Sequence, residues 1–252
     1  MKNLSLTTLS KKIVIIPTYN ERENIEDIIR AVCALHQSFD ILIVDDNSPD
    51  GTASIVKNLQ ANEFKLNLHI LERQVKNGLG TAYIEGFKWC LKNGYEFIFE
   101  MDADFSHNPN DLPKLYEALC DGADVSIGSR YKTGVNVVNW PMSRVMLSYF
   151  ASAYVRFITG LDIRDTTAGF VGYRSRVLNT IALDEIKFRG YAFQIEMKYT
   201  AHKHGFKIEE VPIIFTDRTK GESKISNGII QEAIIGVVSM KIKSFFKKYR
   251  KL

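Results

Sequence analysis

Residues 95–109 read YEFIFEMDADFSHNP, and the fold turns on how this stretch is read. The largely apolar run Tyr95–Phe99, interrupted only by Glu96, has the texture of a buried strand. Just beyond it come two aspartates, Asp102 and Asp104, with only Ala103 between them. Residues two apart on an extended chain point the same way. Two carboxylates therefore project together from the carboxyl end of a strand, where an open α/β sheet keeps its ligand crevice. Their like charges call for a counter-charge. A hard divalent cation, Mg2+ or Mn2+, suits carboxylate oxygens and leaves positions for substrate phosphates. The alternative is that the pair merely ends a strand and that Asn108-Pro109 starts the next helix. The rest of the chain has to decide.

Working outward, the same texture repeats. Strands are predicted at Lys12–Pro17, Asp40–Val44 and Leu66–Leu71 before the central run. Between them fall a helix from Glu21 to about Leu35, one ending near Leu59, and one over about Thr81 to Asn93. Asn20 and Glu23 have the spacing of a capping box for the first helix. The third strand runs into a glycine-bearing loop with two cations, Arg73 to Gly80. After the aspartates come a helix over Asp111 to Asp121 and a strand at Asp124–Gly128. A polar loop, Lys132–Pro141, then leads to a helix over Met142 to Gly160. A strand at Val171–Arg174, a helix from Gly190 to His204, a strand at Lys207–Phe215 and a loop at Lys220–Lys224 follow. A last helix runs from Ile225 to the end. Strand, turn, helix, strand at this spacing predicts an α/β, Rossmann-like fold with a mainly parallel central sheet and right-handed crossovers.

Composition sets the outer bounds. The chain has 252 residues, 45% hydrophobic and 25% charged, which is ordinary for one globular domain with an appendage. The net charge of +4 is concentrated at the end, where Lys241 to Lys251 contains six basic residues and no acid. The remainder is close to neutral, so no nucleic-acid-binding face is expected. Cys33, Cys90 and Cys120 are odd in number and scattered, which points to reduced thiols and a cytoplasmic setting. No stretch reaches the roughly 18–20 apolar residues of a membrane span.

Several motifs are missing. Pro17-Thr18-Tyr19-Asn20 stands where a dinucleotide-binding turn would need its glycines. There is no P-loop, no G-x-S-x-G elbow and no H-E-x-x-H. Redox, kinase, serine-hydrolase and zinc-protease readings lose their basis. What remains near the crevice is Tyr19, able to stack on a nucleobase, and Asp46, able to accept hydrogen bonds from a base or ribose. Either can equally be a turn residue. Arg130, Arg144, Arg218 and Lys224 are cations at loop or helix positions. Together with a metal they suit a polyanionic substrate, because guanidinium groups grip phosphates with two parallel bonds. His107 lacks a second histidine at ligand spacing and reads as a loop residue, and Trp140 is either an apolar anchor or core. The C-terminal helix interleaves aliphatic and aromatic residues with lysines and arginine. That pattern suits an interfacial helix on an anionic membrane surface, or else a terminal helix docked on the domain.

These segments, in this order, resemble a known family. Pro17-Thr18-Tyr19-Asn20-Glu21, Asp45-Asp46-Asn47-Ser48-Pro49-Asp50-Gly51-Thr52, Gly78-Leu79-Gly80-Thr81-Ala82 and Asp102-Ala103-Asp104 are similar to the motifs of inverting family-2 glycosyltransferases. Those enzymes have the nucleotide-diphospho-sugar transferase (GT-A) fold. Gly128-Ser129-Arg130-Tyr131, Gly190-Tyr191-Ala192-Phe193-Gln194 with Glu196, and Phe215-Thr216-Asp217-Arg218 running into Gly221-Glu222-Ser223-Lys224 narrow the resemblance to dolichyl- or polyprenyl-phosphate mannose synthases. It covers roughly Lys12 to Lys224, which sets a catalytic domain at 12–224 and a basic amphipathic helix at 225–252.

The resemblance implies a set of roles. Pro17, Tyr19, Glu21, Val44 and Asp46 would line the nucleotide pocket. Asp102 and Asp104 would hold the metal on the donor diphosphate, with the Ala103 backbone alongside. Arg130, Arg218 and Lys224 would bind donor or transferring phosphates, and Arg130, Arg144 and Ser148 the acceptor phosphate. Asp104, Arg130 and Arg218 are the catalytic candidates. Some relatives place a metal-binding Gln two residues after the second aspartate, where this chain has Ser106. The implied reaction moves mannose from GDP-mannose to a polyprenyl or dolichyl monophosphate, with inversion and without a general base. It would take place at the cytoplasmic face of the membrane. Rival expectations are another donor such as UDP-glucose, a polysaccharide acceptor, or a non-catalytic scaffold on the same fold.

Overall fold

A computed structural model describes residues 11–218, 227–246 and 249. The first half alternates strand and helix: β1 (Lys12–Thr18), α1 (Ile25–Cys33), β2 (Asp40–Asp45), α2 (Thr52–Asn62), β3 (Leu68–Glu72), α3 (Leu79–Lys92) and β4 (Phe97–Glu100). The second half is less regular: α4 (Leu112–Cys120), β5 (Val125–Ser129), β6 (Val137–Val138), α5 (Met142–Thr159), β7 (Val171–Arg174), α6 (Ser175–Thr180), α7 (Tyr191–Lys203), β8 (Ile208–Pro212), β9 (Phe215–Thr216) and α8 (Asn227–Ser244).

Seven strands form one sheet in the order β3-β2-β1-β4-β7-β5-β8. β1 to β4 run parallel, with Pro17 opposite Val44 and Ile15 opposite Glu100. β7 runs antiparallel between β4 and β5, and β5 pairs in parallel with β8. The sheet is thus mainly parallel, as the repeat predicts, with one reversed strand that the repeat does not reveal. Alternation along β1 explains the layering: Ile13 and Ile15 enter the core under α3 and α7, while Val14 and Ile16 enter the one under α1, α2 and α4.

β7 fits between its neighbours because Gly172 has no side chain. A Cβ there would come within 2.6 Å of both the Phe99 ring and Ser126 Oγ. Gly80 serves the same end at the start of α3, where a Cβ would meet Phe188 O and the Phe193 ring at 2.8 Å.

Two local expectations are corrected. Asn20 does not cap α1: it takes a left-handed turn, φ 58°, and its N–H donates to Ser48 Oγ at 3.0 Å. Residues 21–24 form a turn instead, closed by Asn24 and Ile25 N–H groups on Glu21 O, so the helix begins four residues later than expected. The strand expected at Lys207–Phe215 is broken. β8 stops at Pro212, which has no N–H to give, and β9 belongs to a separate two-stranded parallel sheet with β6.

The C-terminal helix packs on the domain, burying Val237 and Met240, while Ile234, Ile235, Val238 and Ile242 remain substantially exposed. Among the described residues no helix is long and apolar enough to cross a membrane. The expected loop at Lys220–Lys224, and with it Lys224, lies outside the described residues.

A Gly172→Val substitution should destabilise the fold by about 1–3 kcal/mol through overpacking. A lower urea midpoint at unchanged slope is the expected reading.

Candidate active site

The carboxyl ends of β1, β2 and β4 meet along one edge of the sheet. The loop after β1 is tied to the loop after β2 by Thr18 Oγ1 donating to Asp45 Oδ1 at 2.8 Å. Asp45 also accepts from Ser48 N–H and Oγ. Asp45 thereby braces the turn, and Asp46 is the carboxylate presented beside it. Asp46 Oδ1 accepts from Arg73 Nη1 at 2.5 Å. The same guanidinium donates to Thr81 Oγ1 and Glu85 Oε1. Burial pushes the Asp46 carboxyl above its ordinary value, and the Arg73 charge only partly offsets this. Tyr19 is half-buried, with Lys76 Nζ 3.8 Å from its ring centre. Glu21 accepts from Asn24 Nδ2, and its own N–H donates to Thr52 Oγ1.

Pro17 and Val44 pair across β1 and β2. The Val44 side chain is fully buried against the core, so only its main chain can meet a ligand. This narrows the sequence expectation for that residue.

Below the aspartate pair lies Glu100, completely buried at the end of β4. Its Oε2 accepts from Gln194 Nε2 on α7 at 2.7 Å. Burial pushes its carboxyl up to about 8, against the opposing effects of Gln194 and Lys198. Lys198, also fully buried, donates to Thr166 O and Ala168 O. The Tyr83 hydroxyl is raised well above its ordinary value, first by burial and then by the nearby Asp102, Glu100, Tyr173 and Asp104. The fields of all three carboxylates therefore reach the buried Tyr83 hydroxyl.

Asp102 is partly open, and its N–H donates to His107 Nδ1 at 3.2 Å. His107 is buried, stacked on Phe170 at 4.9 Å, with its pKa pushed down to about 4 by desolvation. It is a neutral ring that fixes the loop. Asp104 accepts from Ser106 N–H at 3.1 Å and pairs with Arg218 Nη2 at 3.0 Å. Burial works to raise its pKa, but the Ser106 bonds and the Arg218 charge prevail and hold it below the ordinary carboxylate range. Ala103 between them is buried. Two carboxylates on one loop suit a hard divalent cation with substrate oxygens completing its shell. Among the described residues no third His, Cys, Asp or Glu joins them.

The basic residues divide by their partners. Arg130 makes a two-bond pair with Asp165, Nε to Oδ2 at 2.7 Å and Nη2 to Oδ1 at 2.6 Å, and its Nη2 also donates to Thr167 Oγ1. Asp165 is fully buried, and its own N–H donates to Glu210 Oε1. The fork of Arg130 that would grip a phosphate is thus occupied by Asp165. Arg144 on α5 donates from Nη1 to both Asp217 oxygens at 3.0 Å and lies over the Trp140 ring at 4.2 Å. Ser148, one turn further along α5, is half-buried. Arg218 pairs with Asp104 while its neighbour Asp217 holds Arg144, so adjacent residues just after β9 contact both the aspartate loop and α5.

Sequence reading did not find Arg73, Glu100, Asp165 or Glu210. A signal existed for Glu100. It shares one face of β4 with Ile98, and every residue of that strand is buried, so a charge stands at a buried strand position. Asp165 had no such signal, since its partner lies 35 residues away.

An open sheet of this order, with carboxylates at the ends of its first strands, is the nucleotide-sugar transferase (GT-A) architecture. Residues 13–182 match Glycosyl transferase family 2. The chain is 44% identical to the polyprenol monophosphomannose synthase of Mycolicibacterium smegmatis over 240 residues, 95% of this chain and 90% of that one. It is 45% identical to the undecaprenyl-phosphate mannosyltransferase of Micrococcus luteus over 225 residues, 89% of this chain and 91% of that one. Glucosyl-3-phosphoglycerate synthase from Mycobacterium tuberculosis, solved with Mn2+, uridine diphosphate and glucosyl-3-phosphoglycerate, shares the fold: TM-score 0.65 at 15% identity, covering 93% of this chain and 79% of that one. The chain belongs to glycosyl transferase family 2 and is a glycosyltransferase.

The buried Glu100 makes stability depend on pH. Its carboxyl rises from an ordinary 4.5 to about 8 in the folded chain, so folding holds a proton that the unfolded chain releases. Its contribution is fully present below the unfolded pKa and is lost as pH rises through the folded one. Glu100→Gln, which keeps an acceptor for Gln194, should flatten the decline in stability between about pH 5 and 8. Urea midpoints across that range would show it; parallel slopes for both proteins would contradict a protonated Glu100.

Proposed function

We propose that this enzyme transfers mannose from GDP-mannose to a polyprenyl monophosphate of the dolichyl type, giving the β-linked polyprenyl phosphate mannose by inversion. The observation that carries this reading is the near-full-length likeness to enzymes named for mannosyl transfer to polyprenol and undecaprenyl phosphate. The arrangement of the site supports it. On the donor side, Tyr19 would stack on the base, Asp46 in the orientation set by Arg73 would accept its hydrogen bonds, and the Pro17, Glu21 and Val44 main chain would line the pocket. Asp102 and Asp104, with the Ala103 backbone, would hold Mg2+ or Mn2+, which when bound supplies charge neutralisation for the departing diphosphate.

Arg218 pairs with Asp104 at 3.0 Å and would turn part of its fork to the diphosphate, with Lys224 further along the chain. On the acceptor side, Arg144 and Ser148 would seat the lipid phosphate. Arg130, anchored by Asp165, would contribute its positive field more than direct bonds. A phosphate monoester is already largely dianionic at neutral pH, its second pKa being about 6. No residue has to remove a proton from the attacking oxygen. The protein's contribution is to hold two anions close and in line.

The acceptor's apolar chain calls for a bilayer. Met146, Leu147, Phe150 and Phe157 on α5, and Ile235, Ile242, Phe245 and Phe246 at the C-terminal helix, are all more than half exposed. Lys241 and Lys243 accompany them. We read the catalytic domain as 12–224, and the outer face of the segment 225–252 as a contact with the cytoplasmic membrane surface.

The deciding assay supplies labelled GDP-mannose, polyprenyl phosphate, detergent and Mg2+ or Mn2+, with UDP-glucose in parallel. Metal-dependent label in organic-extractable lipid from GDP-mannose alone is expected. Asp104→Asn should reduce it by about a hundredfold or more. Label from UDP-glucose would change the donor, and no lipid product from either would return the polysaccharide and scaffold readings. For the membrane contact, Ile235→Asp with Phe246→Asp should abolish co-sedimentation with anionic liposomes while nucleotide binding persists. Deleting the whole helix is a poorer test, because Val237 and Met240 belong to the core.

A further inference from the structure

Three consecutive residues at the end of β9 bond to both sides of the site. Thr216 N–H donates to Ser106 O at 3.3 Å, on the loop that carries Asp102 and Asp104. Asp217 accepts from Arg144 Nη1 through both oxygens, each at 3.0 Å. Arg218 pairs with Asp104. Asp217 is itself fixed. Its N–H donates to Val138 O at 3.0 Å, and its Oδ1 accepts from Arg218 N–H at 3.1 Å.

From this geometry we infer that Asp217 is a positioning residue for the lipid-phosphate subsite. It holds Arg144 in one pose, and it sets that pose relative to the donor carboxylates through the neighbouring Arg218. The inference rests on the role proposed above for Arg144. Arg144 is caught between the Asp217 carboxylate on one side and the Trp140 ring on the other, 4.2 Å away. Both bonds to Asp217 come from Nη1, so the Nε–Nη2 edge of the planar fork is not used by this pair. That edge is the one with two parallel donors for a phosphate. An arginine has many rotamers, and fixing one before the ligand arrives removes an ordering cost from binding.

A plain surface ion pair is the competing account. The two side chains are 30% and 27% exposed, a setting in which such a pair adds little to folding stability. The two accounts also differ in sign. If Asp217 merely offsets positive charge, removing it should strengthen the binding of an anion. If it positions Arg144, removing it should weaken that binding.

The test uses the full chain in detergent with GDP-mannose and farnesyl phosphate, a short polyprenyl monophosphate, varying each in turn. In Asp217→Asn we expect KM for farnesyl phosphate to rise about tenfold, with KM for GDP-mannose and the melting temperature essentially unchanged. An unchanged or lower KM for farnesyl phosphate would overturn the inference, and so would an equal rise in both KM values. Arg144→Ala run alongside separates the two layers. If it raises KM for farnesyl phosphate while Asp217→Asn does not, the positioning role alone fails. If it leaves that KM unchanged, the acceptor role of Arg144 fails and the inference falls with it.

Discussion

Carboxylates crowded at the end of buried strands must each be answered by a proton, a cation or a donor, since an uncompensated charge there is costly. This constraint organises the molecule. Glu100 keeps a proton and takes a bond from Gln194. Asp46 is met by Arg73, Asp104 by Arg218, and Asp165 by Arg130. Each answer comes from a distant part of the chain: the loop after β3, the end of β9, helix α7, the end of β5. The site's electrostatics and the tertiary fold are therefore one set of contacts. Removing a partner disturbs a carboxylate and the packing of a remote element together.

The reversed strand β7 separates the two halves of the sheet. β1 to β4 follow the simple repeat and carry Asp46, Asp102 and Asp104 at or just beyond their carboxyl ends. Beyond β7, the chain departs from the repeat and builds the small β6–β9 sheet and α5, which carry the cations. The β6–β9 sheet is short, only two residues a strand, yet it links the aspartate loop to α5. Its position joins the strand ends built by local βαβ units to α5 and its Arg144. The buried ring of His107, wedged against Phe170 and Phe215, closes the same junction.

Much of this was legible in the chain. The first three strands, the long α5 and the placement of Asp102 and Asp104 at a strand end follow from apolar runs and period-two alternation, which are local. The starts and stops were less secure. Asn20 and Glu23 have the spacing of a capping box, but Asn20 is drawn away to bond Ser48, a residue 28 positions on. The run Lys207–Phe215 looks continuous because its residues are apolar at the right places, and Pro212 ends it because the next strand pairs elsewhere. Arg73 was visible as one of two cations in a loop, without any sign that it would fasten Asp46.

The sequence by itself determined the fold class, the two aspartates at the end of the central strand and, by the order of its motifs, the family. Those properties rest on short-range patterning, which each segment carries within itself. Only the tertiary structure decided which arginine faces which acid. It showed that Arg130 pairs with Asp165, that the Val44 side chain is buried in the core, and that Asp217 holds Arg144 while Arg218 holds Asp104. Pairings of that kind depend on where segments tens of residues apart come to rest. A charge in a sequence says that it needs a partner, and packing alone chooses the partner.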